Sequence, residues 1–295
     1  MSKLTKIVIP VAGLGTRVLP ASKAIPKEML TVVDKPVIQH VVEEAIGAGF
    51  TEIILITRSS KQAIEDHFDV HYELETELER KGKDSILNDV KGILPAGVSI
   101  SSVRQGRALG LGHAVLCAAP LVGNEPFAVM LPDMLIHNPS NGSQDLAAMV
   151  KDFNETGAAQ IMVEAVPEEH VERYGVVDCD GKPLNAGQGQ PIIGMVEKPP
   201  RDKAPSNQAI VGRYILPARV MELLKDTKPG AGNEIQLTDA LDALIKEAPM
   251  RAYSMVGKTY DCGNKLGFVQ ANMAFAMSHP DLGEDFIAFI KEAIA

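Results

Sequence analysis

A turn near the start of the chain combines glycines with positive charge. The stretch Gly13-Leu14-Gly15-Thr16-Arg17 follows a short apolar run, and its glycines let backbone amides approach an anion with no Cβ in the way. Arg17, Lys23 and Lys27 lie within eleven residues of one another. We therefore predict a phosphate site here, and the concentration of cations suits a triphosphate.

This turn does not continue as a dinucleotide-binding loop. The fingerprint G-x-G-x-x-G requires a third glycine, but Val18 stands at that position. No acidic residue follows the second predicted strand to hold a ribose, because that strand runs into Arg58-Ser59-Ser60-Lys61. Both departures weaken the hypothesis of a dinucleotide-dependent oxidoreductase.

Two aspartates, Asp133 and Asp261, each follow an apolar, strand-like run. Open α/β sheets bind their ligands at the carboxyl ends of strands. Either aspartate alone would fit a helix cap or a turn. Taken together, two hard oxygen ligands suit Mg²⁺, which completes its octahedron with water and with substrate phosphates.

Two further sites carry side chains suited to a base or a sugar. Gln105 follows a predicted strand, and its amide offers the donor and the acceptor that the edge of uracil requires, although it also fits a solvent-facing strand end. The pair Glu197-Lys198 ends another strand and could bind hydroxyls and a phosphate. Such a charged pair is otherwise ordinary solvated surface.

The first loop resembles the signature of a known family. Its string Gly-x-Gly-Thr-Arg-x-x-Pro, followed by Pro26-Lys27-Glu28, resembles the sugar-phosphate nucleotidylyltransferases. The segment Lys27-Glu28-Met29-Leu30 is most similar to the corresponding segment of the bacterial UTP:glucose-1-phosphate uridylyltransferases. The resemblance extends over nearly the entire chain. It implies transfer from UTP to glucose 1-phosphate, giving UDP-glucose and pyrophosphate, with Mg²⁺ as cofactor and no covalent intermediate.

The resemblance also implies a role for particular residues. The catalytic cations would be Arg17, Lys27 and Lys198, and the metal ligands would be Asp133 and Asp261. The nucleotide would be held by Ala12, Gly13, Leu14, Gly15, Glu28, Gln105 and Gly110. The sugar would be bound by Gly175, Glu197 and Gly212.

Two alternatives stay open at this point. One is a thymidylyltransferase of the same fold, which differs mainly in tolerating the ring methyl and the loss of the 2′-hydroxyl. The other is a non-catalytic, nucleotide-sensing subunit on the same scaffold, although the presence of both aspartates and all three cations argues against it.

Alternating strands and helices must position these residues. Short apolar runs predict buried strands at residues 7–12, 52–57, 98–103, 127–131 and 160–165. Helical patterns lie at 37–47, 61–78, 112–119, 144–155, 218–226, 234–246, 264–277 and 286–294. The alternation predicts an α/β fold, a Rossmann-like, mostly parallel mixed sheet with helices on both faces. From about residue 176, shorter strands and loops rich in Pro and Gly predict a smaller sugar-side subregion.

We predict a single domain over residues 1–295. Its nucleotide-binding half would reach about residue 170, and its sugar-binding part would span about 171–263. The last helix carries an apolar stripe, for which packing on its own sheet is the simpler interpretation. The C-terminal helices, 264–295, are also a candidate subunit contact, and we expect a homo-oligomer, either a dimer or a tetramer.

The net charge, the lengths of the apolar runs and the number of cysteines limit the classes of protein to which this chain could belong. The 295 residues carry a net charge of −9, which disfavours a nucleic-acid-binding surface covering the whole protein. No apolar run reaches the ~18 residues of a membrane helix, and the first apolar run is too short for a signal peptide. The 3 cysteines are far apart and suggest neither a disulfide framework nor a zinc site. We expect a cytoplasmic protein without nucleic-acid or membrane partners.

Overall fold

A large mixed sheet lies at the centre of the computed structural model, which describes residues 4–138 and 144–294. Within those residues the sheet has ten strands: β1 (Lys6–Pro10), β4 (Glu52–Thr57), β5 (Ser99–Arg104), β6 (Phe127–Met130), β8 (Ala159–Ala165), β9 (Gly175–Asp178), β10 (Gly189–Pro191), β11 (Gly194–Glu197), β12 (Gln208–Leu216) and β13 (Met250–Ser254). Two short ladders stand apart from it: β2 (Thr31–Val32) with β3 (Lys35–Pro36), and β7 (Met134–His137) with β14 (Lys258–Asp261).

The sheet is parallel in one half and mixed in the other. Its order is β10-β13-β8-β12-β6-β1-β4-β5, with β9 beside β12 and β11 beside β9. Strands β6, β1, β4 and β5 run parallel, as do β13 and β8, whereas β12 is antiparallel to β6 and β8. The predicted mixed α/β sheet is confirmed.

Helices cover both faces of this sheet. They are α1 (Val37–Gly47), α2 (Gln62–Phe68), α3 (Tyr72–Arg80), α4 (Asp84–Gly92), α5 (Leu111–Cys117), α6 (Ala119–Val122), α7 (Gln144–Thr156), α8 (Arg219–Asp226), α9 (Leu237–Ile245), α10 (Lys265–Ser278) and α11 (Gly283–Ala293). Ile7 and Ile9 of β1 pack with α1 and α7, whereas Val8 packs with α5, α8 and α9, because successive strand residues face opposite sides. Two cores therefore enclose the sheet, as predicted.

The helix predicted at residues 61–78 is in fact two helices. α2 ends at Phe68, Asp69 is extended, and the ring of His71 then accepts a hydrogen bond from the Leu74 N–H (3.2 Å) at the start of α3. The apolar spacing continues across this break, so periodicity alone could not reveal it. α4 was not predicted, because its buried side chain is a single leucine, Leu87.

Two strand predictions also need correction. β5, predicted to be buried, lies at the sheet edge and is half-exposed, because its serines tolerate water. β12 is the nine-residue strand between β6 and β8, so the region after residue 176 supplies a central strand as well as short ones. The proposed division of the chain near residue 171 stays a prediction.

The last helix buries its apolar stripe only in part. α11 packs against α10, and Phe286, Ile287 and Ile290 are partly buried, whereas Phe289 and Ile294, the residue after the helix, are 63% and 80% exposed. Packing on the sheet therefore does not account for the stripe, and the subunit contact stays a prediction. In the described part of the chain, no helix is both long and apolar enough to cross a membrane.

Candidate active site

The glycine turn after β1 folds back on itself and places Arg17. Gly15 has a φ of 68°, which favours glycine, and a Cβ there would lie 3.2 Å from the Cβ atoms of both Lys27 and Ser22. The Ser22 hydroxyl donates to the Gly15 carbonyl (2.7 Å) and closes the loop. A short 3-10 turn, Thr16–Val18, follows and leaves the Arg17 side chain 59% exposed.

Asp133 and Asp261, which are 128 residues apart in the sequence, meet beside this loop. β7 and β14 pair so that Met134 lies opposite Asp261, and the Cys262 N–H donates to the Asp133 carbonyl (2.7 Å). A Cβ on Gly263 would stand 2.5 Å from Asp133 Oδ2 and 2.8 Å from Asp261 Oδ1. The two carboxylates thus flank one glycine, as the sequence predicted for a shared site.

The cations of the loop pair directly with these carboxylates. Lys27 Nζ lies 2.5 Å from Asp133 Oδ2, while Arg17 donates to Asp261 Oδ2 (2.8 Å) and also reaches Asp133 Oδ2 (3.4 Å). Burial alone would raise the pKa of Asp133, but Lys27 and Arg17 outweigh it and hold that pKa below its ordinary value. Asp133 is therefore an anion at neutral pH.

The number and the type of possible ligands around Asp133 and Asp261 indicate which metal the two aspartates could hold. Among the described residues there is no group of three or more His, Cys, Asp or Glu side chains placed to bind an ion. A transition metal normally takes three or four protein ligands. Two carboxylates fit a hard divalent ion that uses phosphate and water for its remaining positions.

A cavity of about 360 Å³ opens between the glycine turn, the end of β6 and the start of α5. Predicted site residues on its wall are Ala12, Gly13, Leu14, Lys27, Glu28, Gln105, Gly110 and Asp133. Sequence reasoning missed Arg58 and Glu234, which also line it. Arg58 follows a strand and carried a usable signal, whereas nothing in the sequence linked Glu234 to this wall.

Gln105 and Gly110 form one unit at the far end of the cavity. Gln105 Nε2 donates to the Gly110 carbonyl (3.1 Å) and lies 3.0 Å from His113 Nδ1. Gly110 has a φ of 101°, and a Cβ there would lie 2.7 Å from Glu234 Cβ and 2.8 Å from the Ile235 carbonyl oxygen. The amide of Gln105 is therefore oriented by its own loop, and only glycine fits at position 110.

Glu28 lies on the cavity wall, and its carboxylate is almost completely buried. It is 1% exposed, and its Oε2 accepts a hydrogen bond from Lys61 Nζ (2.6 Å). In the described structure its second oxygen, Oε1, is buried without a hydrogen-bond partner. Burial raises the pKa of Glu28, and the charges of Lys61 and Lys27 oppose that rise. Sequence reasoning missed the role of Lys61, because it noted that lysine only as the end of a strand.

The sugar-side residues gather around Glu197 at the end of β11. Its Oε2 accepts a hydrogen bond from the Thr238 hydroxyl (2.7 Å), and a Cβ on Gly175 would lie 3.1 Å from the same oxygen. Lys198 Nζ stands 3.5 Å from Oε1 and its side chain is 54% exposed. Thr238 is a further residue that sequence reasoning missed.

A backbone contact joins the sugar-side residues to Tyr174. The Lys198 N–H donates to the Tyr174 carbonyl (3.0 Å), and Lys198 adopts a φ of 47°, which is unusual for a residue with a side chain. Burial, and to a smaller extent the charge of Asp261, raise the pKa of the Tyr174 hydroxyl.

Gly212 stands apart from this group. It has a φ of 79° inside β12, and a Cβ there would lie 2.6 Å from Leu131 side-chain atoms. Leu131 lines the nucleotide cavity, and its N–H donates to the Gly212 carbonyl (2.9 Å). Close packing behind the cavity wall already requires glycine here, so a direct sugar contact of Gly212 stays a prediction.

Comparison with known proteins identifies the family to which this chain belongs. The family model described as nucleotidyl transferase matches residues 6–278. A UTP–glucose-1-phosphate uridylyltransferase of Haemophilus influenzae is 56% identical over 288 residues, covering 97% of this chain and 98% of the relative. One from Escherichia coli is 57% identical over 293 residues, covering 99% and 96%.

A solved structure agrees with the sequence relatives. The UTP-bound UGPase from Acinetobacter baumannii superposes with a TM-score of 0.92 at 51% identity, covering 98% of this chain and 99% of that one. Both the sequence and the fold therefore agree with those of these relatives over almost the whole length. The chain belongs to the nucleotidyl transferase family and, within it, to the UTP–glucose-1-phosphate uridylyltransferases.

Proposed function

We propose that this protein transfers the uridylyl group of UTP to α-D-glucose 1-phosphate and releases UDP-glucose and pyrophosphate. The observation that carries the proposal is the junction of Asp133, Asp261, Arg17 and Lys27, of which Asp133 and Lys27 line the nucleotide cavity. The names of the relatives supply the substrates, and this junction supplies a place where negative phosphates can react.

The reaction mainly requires that the two substrates are aligned and that their negative charges are neutralised. A phosphate oxygen of glucose 1-phosphate attacks the α-phosphorus of UTP in line, one new P–O bond forms, and the bond to pyrophosphate breaks. The attacking oxygen is already an anion, so neither a general base nor a covalent nucleophile on the protein is needed. Arg17, Lys27 and Lys198 reduce the repulsion between the two anionic substrates.

Asp133 and Asp261 would hold one Mg²⁺, for which their two hard carboxylate ligands are suitable. When bound, the ion polarises phosphate oxygens and stabilises the developing charge. Lys27 and Arg17 now neutralise the same carboxylates, and Arg17 is exposed enough to turn towards a phosphate instead. These two cations thus keep the acidic pair together and face the position of the triphosphate.

We assign nucleotide selection to the part of the cavity wall that Gln105 and Gly110 form. Because the Gln105 amide nitrogen is engaged by Gly110 and His113, its oxygen is the atom free to accept the imide N–H of a uracil ring. The unpartnered oxygen of Glu28 offers a second acceptor towards the nucleotide. Glucose hydroxyls would be bound by Glu197, whose second oxygen faces Lys198.

The cellular setting follows from more general features. We place the reaction in the cytoplasm, in keeping with the three cysteines, Cys117, Cys179 and Cys262, all of which are free thiols. Self-association is part of the proposal, and the exposed apolar side chains of α10 and α11, Leu266, Val269, Phe289 and Ile294, are the surface it would cover.

The test is a substrate matrix read by pyrophosphate release. UTP, dTTP, CTP, ATP and GTP are each paired with several sugar 1-phosphates, and we expect the highest kcat/KM for UTP with glucose 1-phosphate. Lys27→Met serves as the inactive control, and Lys151→Met, whose side chain is 77% exposed on α7, as the active one. A clear preference for dTTP would favour the thymidylyltransferase alternative, and nucleotide binding without turnover would favour a sensing subunit.

A further inference from the structure

A fully buried arginine stands behind the junction of the two aspartates. Arg213 is 0% exposed and lies in β12 where the register with β8 shifts between Ile210 and Tyr214. Such an irregularity commonly re-aims a side chain, and the φ of 79° at Gly212 supplies the local bend. The Arg213 side chain is directed at the neighbouring end of β6.

Arg213 holds both flanks of the segment that carries Asp133. Its Nη1 donates to the Leu131 carbonyl (3.2 Å), and its Nη2 donates to the Met134 carbonyl (2.6 Å). Those two carbonyls enclose Pro132 and Asp133 in the sequence. Because the guanidinium is a planar, rigid fork, it sets the distance between the two carbonyls and so the path of the chain between them.

Glu44 of α1 fixes the guanidinium in turn. Its two oxygens accept hydrogen bonds from Arg213 Nε (2.9 Å) and Nη2 (2.8 Å), and its side chain is 7% exposed. Buried ion pairs of this kind rarely add stability over apolar residues of similar volume. Stability alone therefore does not explain why the core keeps two charges here.

The opposite side of Asp133 is tied to the second aspartate. The Cys262 N–H donates to the Asp133 carbonyl (2.7 Å), and Cys262 directly follows Asp261. The backbone at Asp133 is thus held by Asp261's own strand on one side and by Arg213 on the other. A hard ion with octahedral geometry is sensitive to small shifts between two such ligands.

We propose that Arg213 and Glu44 are positioning residues that set where the Asp133 carboxylate stands relative to Asp261. The inference rests on the proposed function, in which these two aspartates bind a divalent metal. Residues that orient metal ligands typically change metal affinity by about 10–100-fold when they are removed. We expect a change of that size, without loss of the fold, when the pair is replaced.

The experiment uses the full chain with both partners exchanged for apolar residues, Glu44→Leu together with Arg213→Met. Removing one partner alone would leave an uncompensated buried charge and destabilise the core. Glu44→Asp, which keeps the negative charge but shortens the side chain, is the second variant. The matched control is Asp152→Leu with Arg251→Met, because that pair joins β13 to α7 (2.8 Å) and its guanidinium also donates to a carbonyl, that of Gly189 (3.0 Å).

Mn²⁺ is the probe, and the free ion is measured by electron paramagnetic resonance. We expect the Kd for Mn²⁺ to rise about tenfold or more in the double variant, less in Glu44→Asp, and not at all in the control. The amides of Leu131, Asp133 and Met134 should exchange hydrogen faster in the double variant while its Tm stays near that of the wild type. Wild-type Mn²⁺ affinity in a folded double variant would overturn the inference, and so would unfolding of both test variants beside a folded control.

Asp133→Asn, measured in parallel, separates this inference from the proposed function. If Asp133→Asn binds Mn²⁺ as tightly as the wild type, the metal site itself is wrong. If Asp133→Asn loses affinity while the folded Arg213 variants keep it, the positioning role alone is wrong.

Discussion

On the nucleotide side most of the predicted residues line one cavity, whereas on the sugar side they are spread over three separate strands. Most of those predicted wall residues belong to one continuous loop, which runs from Ala12 to Glu28 and whose glycines and cations are near neighbours in sequence. The sugar-side carboxylate, Glu197, instead depends on Thr238, which is 41 residues away on α9. Lys198 beside it is 54% exposed, while Lys27 on the nucleotide side is 14% exposed.

This difference predicts how a substitution on each side should affect activity. The cations and aspartates of the nucleotide side are joined to one another, so a change there alters the place where the phosphates react. The sugar-side groups meet the substrate through individual side-chain hydrogen bonds, so a change there should weaken one substrate selectively. The predictions below compare the two sides, beginning with the largest effect.

Loss of either aspartate should cause the largest loss of activity. Asp133→Asn and Asp261→Asn keep the shape but remove the anion, and we expect kcat to fall by at least about two orders of magnitude, because several kcal/mol of charge stabilisation are lost. Steady-state kcat measured over a range of Mg²⁺ concentrations is the test. Excess Mg²⁺ should partly restore each single variant and should not restore the double variant.

Thermal stability gives a second comparison of these variants. Because Asp133 is paired with Lys27 (2.5 Å), its neutralisation leaves a half-buried lysine without its partner, so we expect the Tm of Asp133→Asn to fall. Asp226→Asn, at the exposed end of α8, is the control for a simple change in net charge. Near-normal kcat for either site variant at limiting metal would remove that aspartate from the metal site.

On the sugar side we expect a smaller and selective effect. Glu197→Gln should raise the KM for glucose 1-phosphate about 10-fold or more and leave the KM for UTP unchanged, because a charged acceptor of hydroxyl hydrogen bonds is lost. Thr238→Val should act in the same direction by freeing the Glu197 carboxylate to rotate, and Thr238→Ser should restore it. Equal increases in both KM values would assign these residues to the architecture rather than to the sugar.

The same contrast explains how far sequence reasoning could reach. Arg17, Lys27 and Glu28 belong to one local motif, so their grouping was predictable. Asp133 and Asp261 could be singled out because each comes at the end of an apolar run, although the β7–β14 ladder that brings them together stands apart from the central sheet. Arg213 and Glu44 are separated by 169 residues, and neither occupies a recognisable motif. Lys61 and Thr238 likewise act through partners that only the packing of the sheet and helices brings near.

The smallest effect should come from Gln105, because its loop supports it and only one neutral hydrogen bond to the base is at stake. Its amide nitrogen is engaged by the Gly110 carbonyl (3.1 Å) and His113 Nδ1 (3.0 Å), which leaves the oxygen as an acceptor for the imide N–H of uracil. Cytosine has an acceptor at that ring position, so the same oxygen should repel CTP.

We therefore expect Gln105→Ala to raise the KM for UTP about fivefold, near 1 kcal/mol, and to reduce the preference for UTP over CTP, while kcat stays almost unchanged. The measurement is kcat/KM for both nucleotides at saturating glucose 1-phosphate. Gln188→Ala, in an exposed loop, is the matched control. If Gln105→Ala keeps the full preference for UTP over CTP, another group on the cavity wall, of which Glu28 is the first to test, reads the base. If it lowers kcat as much as Asp133→Asn does, the two sides of the site are not as separate as their construction implies.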